Sequence, residues 1–530
     1  MLQHSLTALA RPSILVVAFP LIPLLIFAFP FKWFVEPEAR SVPEYLYGLA
    51  IAGLLAAALW RLRYDFLTPA CRITLRSLVV LFALFFAAYG PGAVPFSDDV
   101  QGFETLHMWL RPLALVVGVL SLFRPSFALV LFCLIAWQNG IVRQYRIIGT
   151  STTDITVVFE FGITLLIGAI TLYLLTSLIE RHFKNHSPKI TSEIMDFLLL
   201  SLVAFHFANY FFSGMAKVLL DGGWLSWLTE NQTSSLLLAA MRTGHYPLIL
   251  PDDWQTAILQ VLHTPQSNLV INAVILGTQL LAPIALLRLR WTISFSIIYD
   301  IQHAGIFLLS GVFFYKWVWL NTTLAICLPH TRESLISWHR GIILIGYLLL
   351  SNFLFSITWL GWYETASLTH SHILAETADG QTHRAPTNYF LGGSIRFAQG
   401  EFADLAAPGF STRTFGTTSS YDEMMRGNAC TLPIRTPHQS SHLKDLMSFL
   451  KIHHKYILNK ADNKGHIIYD IYPHHIWSNL FEFRDFYNLD KREIVRYRWL
   501  IKSECLGVGA SGLEAKLRGQ HELIIELPRQ

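Results

Sequence analysis

Residues 194–220, IMDFLLLSLVAFHFANYFFSGMAKVLL, form an apolar run long enough to cross a bilayer, and they carry His206, Asn209, Ser213 and Lys217 inside it. A helix across about 30 Å of hydrocarbon needs about 20 such residues. The four polar side chains follow one another at spacings of three and four, so on a helix they share one face. Polar groups at membrane depth are costly unless partnered, and that face must turn toward protein. A lysine near the end of such a helix either snorkels to the headgroups or is held in a polar interior. Held there, it is a candidate base.

The remainder of the chain agrees with a membrane reading. Its 530 residues are 53% hydrophobic, 13% aromatic and only 14% charged, with a mean hydropathy of +0.42, more apolar surface than a water-exposed domain carries. The net charge of +4 is spread through loops, without the basic patch that nucleic-acid binding requires. The run from Ser13 to Phe31 is longer than a cleavable leader core and reads as a first span. Further spans are expected near residues 43–60, 74–92, 106–123, 125–140, 155–179, 194–220, 267–287, 291–311, 313–329 and 338–361, with a tight hairpin at Arg124-Pro125 and a break near Gly311. The predicted architecture is an all-α polytopic membrane helix bundle of about nine to eleven spans over residues 1–361, followed by an extramembrane α+β domain over 362–530.

Lysine and arginine collect in short cytoplasmic loops. Arg61, Arg63, Arg72 and Arg76 mark one such loop, and Arg288 with Arg290 another, whereas Asp98, Asp99, Asp252 and Asp253 mark outer loops. Arg143 and Arg146 dissent. The amino terminus is then cytoplasmic and the tail extracytoplasmic. In the tail, TASLTHSHILAETADGQTHRAP reads as a linker, HLKDLMSFLKIHHKYIL as a helix, and HIIYDIY, REIVRYRWLIKS and HELIIEL as strands. Five cysteines make no disulfide framework, yet Cys430 and Cys505 both lie in the tail and are expected to be bridged in an oxidising compartment. Eleven of the 21 histidines are also there. None sits in a Cys-x-x-Cys or His-Glu-x-x-His frame, so no metal is expected, and solvent-exposed histidines are the default reading.

Other spans carry polar residues too. Asp300 and His303 lie one turn apart, where a carboxylate can set the tautomer of an imidazole, and two polar stripes on different helices point to a shared interior pocket. Glu160 is expected to pair within the bundle, and Lys316, beside Trp317 and Trp319, to snorkel at the interface. The candidate catalytic set is Lys217, His206, His303 and Asp300. The candidate substrate-binding set is Asn209, Tyr210, Ser213 and Trp224.

The segment YFFSGMAKVLLDGGW, from Tyr210 to Trp224, resembles the signature of the vitamin K-dependent gamma-carboxylase superfamily, whose bacterial members include the HTTM-domain (horizontally transferred transmembrane) proteins. In that pattern an aromatic pair, a small residue, Gly and Lys close a helix, and an Asp and a Trp follow; Tyr210, Phe211, Gly214, Lys217, Asp221 and Trp224 fit it. HAGIFLLSGVFFYKWVWLN is similar to a later helix of the family through Gly311, Phe314 and Tyr315. The chain departs from the family at the place of an Asn-His pair that the carboxylases carry, where Thr153-Asp154 stands and no His is present. The resemblance implies that Lys217 is the base that deprotonates a reduced naphthoquinone of the vitamin K or menaquinol type, and that membrane lipid and a protein or peptide substrate are partners. A bacterial inner membrane is the implied setting. The alternative expectation is a non-enzymatic membrane protein whose tail binds a partner, with the polar stripes serving packing alone.

Overall fold

The structure, a computed structural model, describes residues 42–88, 100–144, 155–182, 188–332, 338–398, 400–406, 416–417, 420–433, 442–467 and 476–528. The first expected span, Thr153-Asp154, most of HIIYDIY and the His474-His475 pair lie outside them. The chain opens with α1 (Val42–Ala58), α2 (Pro69–Ala88), α3 (Val100–Phe123), α4 (Ala128–Gln144), α5 (Thr156–His182) and α6 (Pro188–Val218). Arg124-Pro125 is the expected hairpin, where Pro125 starts a single 3-10 turn between α3 and α4. Short helices α7 (Ser226–Glu230), α8 (Ser235–Thr243) and α9 (Asp252–Leu262) follow, then α10 (Pro265–Leu280), α11 (Ala282–Ala285), α12 (Leu289–Ser310), α13 (Tyr315–Cys327) and α14 (Trp338–Leu354).

Among the described residues five helices are long and apolar enough to cross a membrane: Pro69–Ala88, Thr105–Phe123, Thr156–Leu175, Ser192–Val218 and Leu289–Ser310. Each overlaps an expected span. Of the Ser192–Val218 window 94% is buried inside the protein, against 22% for Leu289–Ser310, so α6 is the central pillar and α12 lies at the edge. Around α6 pack α2, α5, α10, α11 and α14. Two expected spans are interrupted. Residues 267–287 break after Leu280 and restart at Ala282 with Pro283 in the first turn, and 338–361 stop being helical after Leu354. The break near Gly311 is as expected: this glycine ends α12 in the left-handed region, at φ 73°, where a side chain is disfavoured.

The tail is α+β. After β1 (Trp362–Tyr363) come β2 (Ser367–Thr377), β3 (Thr382–Ala385), α15 (Ser394–Ala398), α16 (Glu401–Ala406), β4 (Gly416–Thr417), α17 (Tyr421–Asn428), α18 (Leu443–Lys460), α19 (Arg484–Asn488), β5 (Ile494–Gly509) and β6 (Gly512–Glu526). One antiparallel sheet runs in the order β3-β2-β5-β6, and β1 pairs with β4. The expected linker is corrected here, because 367–377 and 382–385 are the hairpin at one side of that sheet. Its Ser, Thr and His content hid a strand whose polar side chains are buried rather than solvated. Ile373, Ala375, Tyr497, Trp499, Ile501, Leu523 and Ile525 make the apolar face, packed in one core with Leu446, Phe449, Leu450 and Ile457 of α18. His453 and His454 of α18 are buried as well, against the exposed setting expected for them. Cys430 and Cys505 are bridged, with Cα atoms 5.8 Å apart, as the sequence reading anticipates.

Sheet and helices are joined tightly. The Trp477 N–H donates to the Gly311 carbonyl at 2.7 Å and the Asn479 N–H to the Gly244 carbonyl at 3.0 Å. A Cβ on Gly311 would lie 2.2 Å from the His245 carbonyl oxygen, whereas one on Gly277 would meet nothing within 4 Å. Gly311→Ala is therefore expected to destabilise the protein by about 1–3 kcal/mol through strain and displacement of this contact. The control Gly277→Ala, inside a helix, is expected to stabilise by about 0.5–1 kcal/mol. Thermal unfolding of the two purified variants checks the pair.

Candidate functional site

Beyond Leu354 the chain runs non-helically along α6, and its backbone polar groups need partners that a strand or helix would have supplied. Side chains supply them. Glu160 of α5 accepts from the Ser356 N–H at 2.9 Å and from its hydroxyl at 2.7 Å. Asn209 Oδ1 accepts from the Thr358 N–H at 2.9 Å. Ser213 Oγ donates to the Thr358 carbonyl at 3.0 Å and accepts from the Leu360 N–H at 3.1 Å. Lys217 Nζ donates to the Leu360 carbonyl at 2.8 Å. The spacing explains the fit: four helical residues rise about 6 Å and two extended residues about 6.6 Å. The polar stripe Asn209-Ser213-Lys217 thus meets the strap at Thr358 and Leu360 in step.

Lys217 ends this ladder, 1% exposed. Besides Leu360 it donates to the Ser213 carbonyl at 3.0 Å and to Gln279 Oε1 at 3.1 Å, which uses all three protons of an ammonium. Its Nζ sits 5.3 Å from the Trp227 ring centroid and 5.5 Å from that of Trp362, within cation–π range. Gly214 is what lets α10 come close enough, since a Cβ there would lie 3.0 Å from Gln279 Cβ. The lysine is therefore held in the interior and does not reach for headgroups. Beyond it, the Trp227 indole N–H donates to the Trp362 carbonyl at 2.6 Å, and Asn231 Oδ1 accepts from the Glu364 N–H at 2.6 Å. The strap is fastened continuously into β1.

A second polar station lies eleven residues earlier on α6, about 16 Å along the axis. His206 Nε2 bonds to Asn321 Oδ1 at 2.7 Å, and Asn321 Nδ2 donates to the Tyr210 hydroxyl at 2.9 Å. Trp317 lies 5.3 Å from the His206 ring, 5.7 Å from Tyr210 and 6.3 Å from His303, and Tyr210 stacks on Tyr299 at 3.6 Å. The two expected stripes do meet here, through His206 and His303. Asp300 instead accepts from the Thr322 hydroxyl at 2.8 Å.

The candidate residues accordingly divide between places. His206, Tyr210 and His303 share the aromatic station, with Asp300 at its edge; Asn209, Ser213 and Lys217 hold the strap. Trp224 is 81% exposed and joins neither. Lys316 does not snorkel: it is 1% exposed, with Nζ 5.9 Å from the Phe85 ring, because α13 lies against α2 rather than at a free edge. Sequence reasoning missed Asn321 and Gln279, which tie the two stations to neighbouring helices. A lone amide inside an apolar helix was the available signal for both.

Asn321 orients His206, leaving Nδ1 as the free nitrogen of a ring whose other nitrogen is engaged. At the Lys217 station two acceptors are backbone carbonyls fixed by the fold, and only Gln279 is a side chain that can turn away. An incoming hydroxyl would therefore take the Gln279 position. Neither family models, curated proteins nor solved structures match this chain.

Proposed function

We propose that the chain is a multi-pass membrane protein of the carboxylase-like kind in which Lys217 serves as the base, acting on a substrate that reaches it from the outer leaflet. The observation that carries this reading is a buried lysine amine with three neutral oxygen partners, Ser213, Gln279 and Leu360. Among the described residues it bonds to no carboxylate, so its charge is not locked in an ion pair there and the amine can exchange its proton. Gln279 suits both forms: its amide oxygen accepts from the ammonium, and after a flip its NH2 donates to the neutral amine. The implied co-substrate is a reduced naphthoquinone, whose hydroxyl would replace Gln279 as the partner of Nζ. The indoles of Trp227 and Trp362 beside the amine suit a flat aromatic ring. A protein or peptide is the implied final substrate, with a bacterial inner membrane as the setting.

The orientation proposed puts the Lys217 end of α6 and the whole tail outside. The Cys430–Cys505 bridge supports it, since such bonds persist in oxidising compartments. The outer loop that follows α6 joins directly to the tail through Asn231 and Glu364, so both belong on one side.

A second reading is favoured by the ladder itself. In it, Lys217 is only a clasp that fastens the strap, and the tail is a partner-binding domain.

Two experiments follow. In nanodiscs supplied with a chemically reduced naphthoquinone, the wild-type protein is expected to take up oxygen as the quinol is oxidised. Lys217→Ala and Lys217→Arg are expected to lose this by at least about 100-fold, since guanidinium fills the space and keeps the charge without releasing a proton. Normal turnover by the arginine variant, or none by the wild type, leaves the clasp reading. For topology, Ser511→Cys in the tail is expected to react with an impermeant thiol reagent on intact cells and Arg63→Cys to be protected; the reverse pattern inverts the orientation.

A further inference from the structure

The face of the sheet turned away from α18 carries His370 and His372 on β2, Arg384 on β3, and Lys502 and Glu504 on β5. Two-residue periodicity puts them on one side, and α8 packs against that side with Leu237 and Leu238 over Leu368 and Leu506. Glu504 is the hub. It accepts two bonds from Arg242 of α8, both at 2.6 Å, and one from His370 Nε2 at 2.9 Å. Such a bidentate charge-assisted pair fixes geometry as well as energy.

The bond to Glu504 places the ring proton of neutral His370 on Nε2, so Nδ1 presents a bare lone pair. That nitrogen is buried and has no hydrogen-bond partner among the described residues, and the same holds for His372 Nε2. His370 is 1% and His372 8% exposed, with ring centroids 4.5 Å apart. Arg384 stands on the adjacent strand, bonded to Glu482 at 2.6 Å. Among the described residues the charges that face the imidazoles are unbalanced: Arg242, Arg384 and Lys502 are three cations against the two carboxylates of Glu504 and Glu482, and the buried imidazole of His245 also faces His370. Burial pushes both imidazoles below the ordinary histidine range; at His370 the Glu504 carboxylate opposes it ahead of the smaller effects of Arg242 and Arg384, and at His372 the neighbouring His370 and then Arg384, Lys502 and Arg242 add to it. The fold therefore collects two neutral rings with unused nitrogens in a positive field.

We propose that this junction is a binding site for one oxyanion group, a carboxylate or a phosphate, held by His370, His372 and Arg384. Arg242 and Glu504 hold the first ring in place. An anion there supplies the missing negative charge and favours protonated imidazoles, which turn bare nitrogens into donors. Binding thus takes up protons, and affinity rises as pH falls toward the ordinary imidazole range near about 6.5. The site is independent of the role of Lys217.

Titration calorimetry tests it, using the full-length protein in phosphatidylcholine nanodiscs with acetate and inorganic phosphate as separate probes at pH 6 and pH 8. Saturable binding of one probe is expected, tighter at pH 6, and weakened at least about tenfold by His372→Leu or by Arg384→Met. If phosphate is the probe that binds, competition by glycerol phosphate assigns a lipid headgroup and its failure a free phosphate. Thermal unfolding separates a site effect from misfolding, because His372→Leu and Arg384→Met are expected to lose binding while unfolding within a few degrees of the wild type. Absence of saturable binding by both probes overturns the proposal. So does binding that His372→Leu and Arg384→Met leave unchanged, the mark of adventitious ions only.

Discussion

The structure depends on how a non-helical stretch of backbone is accommodated against apolar helices. From Ser356 to Glu364 the chain lacks the self-satisfied bonding of a helix, and each unmet amide or carbonyl away from water costs several kcal/mol. Glu160, Asn209, Ser213 and Lys217 meet that demand in order, followed by Trp227 and Asn231. Because one turn of α6 nearly matches two residues of extended chain, a single face of that helix serves the middle of the strap, Thr358 to Leu360. The strap then delivers Trp362 to the end of α6 and sets where β2 begins.

This arrangement explains why a lysine stands where it does. Asn209 meets one backbone group of the strap and Ser213 two, but the end of the strap brings three acceptors, the Ser213 carbonyl, the Leu360 carbonyl and the Gln279 amide, to one point. Only a group with three protons serves all of them, and two indole faces complete its surroundings. The same bonds that make the lysine a good clasp keep it free of carboxylates. Clasp and base are thus two uses of one geometry, and they differ in whether Gln279 yields its place.

The polar face of α6 was legible because helical periodicity depends only on spacing, and the helix ends at Gly311 and Pro125 because backbone chemistry announces them. What lay opposite that face was not. FSITWLGW reads as more apolar helix, and nothing local says that it leaves the helix at Leu354 to pair with side chains far away in sequence. Long-range pairing hid the rest in the same way. The segment 367–385 looked like coil because its polar residues are paired across β5 and α8, and buried His453, His454 and Lys316 looked exposed because their covering elements come from distant segments. His206 and His303 do face one aromatic cluster around Trp317, but the residue that ties His206 to α13, Asn321, showed in the sequence only as a lone amide in an apolar helix.

The most direct test is hydrogen exchange of the Thr358 and Leu360 amides in nanodiscs, resolved by mass spectrometry on peptides covering the strap. If the ladder holds the strap, both amides exchange slowly in the wild type, and Asn209→Ala or Ser213→Ala speeds exchange in the strap while leaving the amides in the middle of α6 protected. Rapid exchange at Thr358 and Leu360 in the wild-type protein, or strap protection unchanged in both variants, would contradict it.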